Sequence, residues 1–204
     1  ADVLSEAKRA GLWVVCPPPE PVPESLGESF DGVLAWNLGH HLAAAELDAV
    51  TQLAGVLRKR DKRQRPLVAQ ADSHVRAYSR VVDILLVDRP VIGTSLELAD
   101  YARYMSERPQ LARPGTPFWG VVDIDVDPRV VHQIESLLPG RLRQTWFDAG
   151  SVRQATFVAL SAGARGIVLS THASVATRER SADGLRSANS AAGETTSVRA
   201  MELT

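Results

Sequence analysis

The sequence predicts an α/β fold, an incomplete (β/α)8 barrel with six of its eight strands. Three observations predict it: six short apolar, β-branched runs, helical patterns between them, and the lack of a glycine-rich phosphate turn after the first run. Near-continuous apolar strands alternating with helices imply a parallel sheet buried on both faces. A doubly wound nucleotide-binding sheet carries glycines after its first strand, where this chain has Pro17-Pro18-Pro19. The prolines therefore argue against nucleotide binding and favour the barrel, which ordinarily takes about 250 residues.

The elements follow in order. Residues 2–10 read as an amphipathic helix ended by Gly11, before the strand Leu12–Cys16. Pro17 to Pro23 cannot continue a ladder and read as a loop. The second strand is Gly32–Trp36. Residues 42–60 place Leu47, Val50, Leu53, Ala54 and Leu57 on one helical face, with Arg58-Lys59-Arg60 at the end where cations suit the helix dipole. Pro66–Gln70 is the third strand, His74–Val82 a short helix, and Ile84–Val87 the fourth strand. A helix over Leu96–Glu107 precedes the fifth strand, Pro117–Asp123. Helices over Pro128–Leu138 and Val152–Ala162 then lead to the sixth, Gly166–Ser170. Residues 173–194, rich in Ser, Ala and Gly, read as a loop, and 195–204 as the start of a further helix. The amphipathic start and the unterminated final helix give the 204 residues the look of an excerpt from a longer chain, so the absence of a signal peptide carries no information on localisation.

Composition removes several classes. With 23 basic and 24 acidic residues the net charge is −1, which offers no basic footprint for nucleic acid or a membrane surface. No apolar run approaches the roughly 20 residues of a membrane span. The single Cys16 excludes an internal disulfide and a cysteine zinc cluster. No cofactor motif is present.

Several segments resemble a known family. Gly32-Val33-Leu34-Ala35-Trp36-Asn37-Leu38-Gly39 is similar to the fourth-strand segment of clan A glycoside hydrolases, particularly β-galactosidase-type barrels, where a Trp precedes an Asn-Glu pair. Glu6–Val15 resembles their second helix and third strand, Pro117–Asp123 their seventh strand, and Val152–Ile167 their last helix and eighth strand. The resemblance covers about residues 2–172 and implies a partial barrel domain over 1–172, with strands three to eight present and the first two ahead of Ala1. It implies a carbohydrate ligand, the remainder of a parent chain as partner, and an extracellular or periplasmic setting.

Barrel sites form at the C-terminal ends of the strands. Those ends carry Pro17 to Pro19, Asn37 to His41, Gln70 to Asp72, Asp88-Arg89, Asp123 to Asp125 and Ser170 to His172. Glycoside hydrolysis ordinarily needs two carboxyl groups. The resemblance places the acid/base Glu where His41 stands and the nucleophile Glu near Asp123, so neither family carboxylate is retained. His41 and Asp123 are the catalytic candidates; Asn37, His40, Asp72, Asp88, Arg89, Asp125 and Trp146 are substrate-binding candidates. The alternative is a non-catalytic structural or interaction module on the same scaffold.

Each candidate has a plainer reading. Adjacent His40 and His41, if strand-like, point to opposite sides and do not chelate one metal ion together. Asp123, Asp125 and Asp127 alternate but lack the Gly and Glu of a calcium loop, and Asp127 before Pro128 fits a helix N-cap. Asp72 or Ser73 would cap the helix beginning near His74. Arg89 would face a ligand or pair with Asp88 or Asp72. Trp36 and Trp119, inside strands, read as core, whereas Trp146 in a less regular segment is the candidate to stack on a sugar.

Overall fold

The computed structural model describes residues 3–140 and 146–171; the expected loop 173–194 and the helix start at 195–204 lie outside the described residues. The chain divides into two compact units, one formed by residues 1–124 and 147–170, the other by 125–146 and 171–204.

The first unit holds the sheet. Its strands are β1 (Val14–Cys16), β2 (Val33–Asn37), β3 (Leu67–Gln70), β4 (Ile84–Asp88), β5 (Phe118–Asp123) and β6 (Gly166–Ser170). All neighbouring pairs are parallel, and the spatial order is β1 to β6 without reversal. That winding belongs to a barrel, since a doubly wound sheet reverses its strand order part-way. The six strands form a curled half-barrel with helices between them, the incomplete α/β barrel expected from the sequence. The helices are α1 (Val3–Arg9), α2 (Leu47–Arg60), α3 (Val75–Tyr78), α4 (Leu98–Glu107) and α6 (Ala149–Ser161).

Strand parity divides the sheet into two faces. The helical face carries the main core: Trp36, Leu67, Ala69, Leu85, Val87, Phe118 and Val122 pack against Val50, Ala54 and Leu57 of α2, Tyr78 of α3, Tyr101 and Met105 of α4, and Ala155 and Ala159 of α6. The helix-free face carries a smaller cluster, Ala35, Val68, Leu86 and Val121, with Ile84, Trp119 and Val168 against it. Gly120 lets two helices approach: a Cβ there would lie 3.0 Å from the Ala159 Cβ and 3.1 Å from the Met105 Cε.

One buried polar group braces the helical side. The Asp61 carboxylate follows α2, accepts from the Trp36 indole N–H at 2.9 Å, and pairs with the Arg65 guanidinium at 2.6 Å. Arg65 also donates to the Val33 and Phe30 carbonyls and lies over the Trp36 ring. Burial pushes the Asp61 carboxyl up, but the hydrogen bonds from Trp36, Arg65 and two backbone N–H groups outweigh it and hold it below the usual carboxylate range. Trp36 is thereby a core residue, as its place inside a strand predicted.

The second unit contains α5 (Pro128–Leu137). As expected, Asp127 caps it, accepting from the Arg129 N–H at 2.7 Å, with Pro128 in the first turn. No helix among the described residues is long and apolar enough to cross a membrane.

Candidate functional site

Two residues beyond the last member of the helix-free cluster on each of five strands, the chain turns polar. Ala35, Val68, Leu86, Val121 and Val168 are followed at this spacing by Asn37, Gln70, Asp88, Asp123 and Ser170. A spacing of two keeps a side chain on the same face of a strand. The helix-free face therefore ends, at the C-terminal edge of the sheet, in a polar layer above an apolar one. This is the edge where barrel enzymes place their chemistry.

The two carboxylates of that layer sit on neighbouring strands. Asp88 is in register with Val121, and Asp123 lies two residues further along β5. Strand spacing and rise put their Cα atoms about 8 Å apart, with both side chains on one face. A third group senses both. The Tyr101 hydroxyl is buried on α4 with no hydrogen-bond partner among the described residues. Burial pushes its phenol up to about 12, and the charges of Asp88 and Asp123 add to the shift.

At β2 and β3 a hydrogen-bonded cluster forms. Gly39 turns the chain with φ of 144°, and a Cβ there would stand 2.8 Å from the Leu42 side chain. His41 follows at φ 54°, left-handed backbone, so the two histidines occupy a turn and do not alternate as strand residues would. The Asn37 amide nitrogen meets His40 Nε2 at 2.7 Å, and His40 Nδ1 meets Gln70 Oε1 at 3.2 Å. Gln70 Nε2 reaches His41 Nδ1 at 3.2 Å and Asp88 Oδ2 at 3.5 Å. His41 Nδ1 also lies 3.3 Å from Asp72 Oδ1. Of the residues singled out from the sequence, Asn37, His40, His41, Asp72 and Asp88 are thus joined, and Gln70 joins them.

The others lie elsewhere. Arg89 is exposed, its guanidinium 5.5 Å from the Tyr104 ring centre. Asp125 and Trp146 belong to the second unit, where they pair in an isolated antiparallel bridge. The Asp125 carboxylate there is buried and accepts from the Thr171 hydroxyl at 2.7 Å. Neither Asp72 nor Ser73 caps α3, which starts from His74 in left-handed backbone without a side-chain cap; Asp72 is turned to His41 instead. Among the described residues, no group of three or more His, Cys, Asp or Glu side chains is placed to hold a metal ion. A groove of about 370 Å³ lined by Lys8, Leu12, Trp13, Asp31 and Arg63 lies at the start of β1 and β2, at the end of the strands opposite the polar layer.

Sequence reasoning passed over two residues. Gln70 had a signal, a polar side chain ending an otherwise apolar strand. Tyr101 had none, because an aromatic on an amphipathic helix reads as core.

No family model matches this chain, and no curated protein matches it. Among solved structures it is similar to a β-glucuronidase from Ruminococcus gnavus, in complex with an N1-substituted uronic isofagomine. The identity is 12% and the TM-score 0.46, over 70% of this chain and 26% of that one. The chain thus spans about a quarter of that protein's length.

Proposed function

We propose that the half-barrel is a carbohydrate-processing domain of a larger protein, acting on a glycosidic bond held against the polar layer at its strand ends. One observation carries the reading: Asp88 and Asp123 stand on neighbouring strands of the helix-free face, about 8 Å apart at their Cα atoms. Glycoside hydrolysis uses two carboxyl groups separated by about 5–5.5 Å for retention or about 6.5–9.5 Å for inversion, and side chains rising from one face of neighbouring strands are of the reach to set their carboxyl groups at such separations. One carboxyl group protonates the departing glycosidic oxygen. The other assists attack at the anomeric carbon, as nucleophile or as base toward water. Asn37, at the end of β2, adds an amide group suited to a sugar hydroxyl. The resemblance of Gly32–Gly39 and Pro117–Asp123 to clan A strands points the same way. His41, exposed and beside Asp72, is a neighbour of the pair and not one of its two carboxyl groups. On this reading residues 1–172 are part of a barrel closed by two further βα units, which accounts for the exposure of Trp13 and Val15 at β1 and of Leu169 at β6.

The test is a panel of aryl glycosides on the full-length protein with Asp88→Asn and Asp123→Asn. Each substitution is expected to lower kcat/KM by at least about a hundredfold. Turnover untouched by both substitutions overturns the assignment. A second reading, a non-catalytic carbohydrate-binding module, is favoured by His41 standing where the resembling family has its acid/base Glu. Sugar binding without turnover on any glycoside selects it.

A further inference from the structure

The amides and rings around Gln70 form a hydrogen-bond chain with one allowed direction. The Gly39 N–H donates to Asn37 Oδ1 at 3.1 Å, which fixes that amide's orientation. Asn37 Nδ2 must then donate to His40 Nε2, leaving the neutral ring's proton on Nδ1. His40 Nδ1–H donates to Gln70 Oε1, so Gln70 presents its NH2 group, and that group has two receivers, His41 Nδ1 and Asp88 Oδ2. Every donor points toward Asp88. Gln70 is 5% exposed, and reversing its amide would set an oxygen against the Asp88 carboxylate and strand the His40 proton.

We propose that Gln70 is a positioning residue for Asp88: locked by His40 and Asn37, it delivers an N–H that favours the ionised form of the Asp88 carboxyl group. An N–H donor favours the ionised form of a carboxyl group. His41 is the branch point. Its Nδ1 lies 3.2 Å from Gln70 Nε2 and 3.3 Å from Asp72 Oδ1, and a ring nitrogen that accepts from Gln70 cannot also donate to Asp72. Gln70 of β3 reaches Asp88, and the buried Tyr101 phenol of α4 feels the charges of Asp88 and of Asp123 on β5. The role of Asp88 in catalysis rests on the glycosidase reading; its ionisation does not.

The experiment titrates the Asp88 carboxyl by side-chain ¹³C NMR in the full-length protein without substrate, for wild type, Gln70→Leu and His40→Ala. Gln70→Leu is expected to raise the Asp88 pKa by about 0.5–1 unit, and His40→Ala, at an exposed site that leaves the core intact, by a smaller amount of the same sign. An unshifted Asp88 in both variants overturns the proposal even where glycosides are turned over. A shift in both supports it even where no glycoside is turned over, so the two readings fail separately. A shift in Gln70→Leu alone overturns the lock by His40. Where turnover exists, the acid limb of kcat/KM for Gln70→Leu moves to higher pH by the same amount with KM little changed; an unmoved limb overturns the catalytic part.

Discussion

Asp61→Asn tests the account of what holds the helical side of the half-barrel together. The carboxylate accepts from Trp36 Nε1 at 2.9 Å, Arg65 Nη1 at 2.6 Å, and the backbone N–H groups of Arg63 and Arg65 at 3.1 and 3.2 Å. The substitution removes the charge and turns one acceptor into a donor, leaving the Arg65 guanidinium, 4% exposed, without its counter-ion. Breaking a buried pair from one side costs about 3–5 kcal/mol. For a domain of this size that lowers Tm by about 6–20 °C. The assay is urea unfolding with a double-mutant cycle against Arg65→Met, in which the coupling is expected to exceed about 1 kcal/mol. The pH dependence has a defined sign. A carboxyl held below its ordinary value contributes stability that is present above about pH 3.9 and is lost as the pH falls toward the folded value. Wild type therefore loses this part of its stability below about pH 4, and Asp61→Asn lacks it throughout. A loss under about 1 kcal/mol with additive single substitutions would refute the argument.

Two further substitutions probe the site's surroundings. Tyr101→Phe removes a buried hydroxyl that has no hydrogen-bond partner among the described residues, so at pH 8 it leaves stability within about 1 kcal/mol of wild type. The wild-type phenol, raised to about 12, keeps its proton in the fold after the unfolded chain has lost it at about 10, so wild-type stability falls with rising pH from about 10. At pH 11 the substitution relieves about 1.4 kcal/mol of that fall, read from urea midpoints at the two pH values, and parallel alkaline losses in both proteins would contradict the assignment. Gly120→Ala sets a methyl 3.0 Å from Ala159 and 3.1 Å from Met105, which is expected to cost about 1–3 kcal/mol in urea unfolding; a change below about 0.5 kcal/mol would show that α6 shifts freely.

All six strands were legible in the sequence, because an apolar β-branched run bounded by turn residues has few other places to go in an α/β fold. Helix starts were less legible. The helix expected over 42–60 begins as α2 at Leu47, after a 3-10 turn over Ala44–Glu46 in which the Glu46 carboxylate accepts from the Ala43 N–H. The helix expected over His74–Val82 shrinks to Val75–Tyr78, where the strongest local cap, Asp72, is drawn away by His41, about thirty residues earlier in the chain. Asp61 and Tyr101 were illegible in their roles for the same reason. Each acquires its meaning from partners on other strands and helices, which no local pattern encodes.

The polar layer is an exception, a long-range feature whose members carry a local mark. Along five strands the residue two after an apolar position, buried on four of them and half-buried at Val168, is polar, and the change from apolar to polar comes on the same face each time. Chance would scatter such residues over both faces. On the helical face, Val122 and Ala69, one residue before Asp123 and Gln70, remain 3% and 0% exposed. A sheet that needed only to be stable would gain from apolar side chains in both positions, since a buried polar group contributes only where its hydrogen bonds are met. Asn37 and Gln70 meet theirs by binding each other through His40, and Asp88 takes a donor from that chain. Side chains held by one another at an open strand edge, and not by the core beneath, keep their geometry when a ligand arrives. Preorganisation of that kind is what the carbohydrate site proposed above would require.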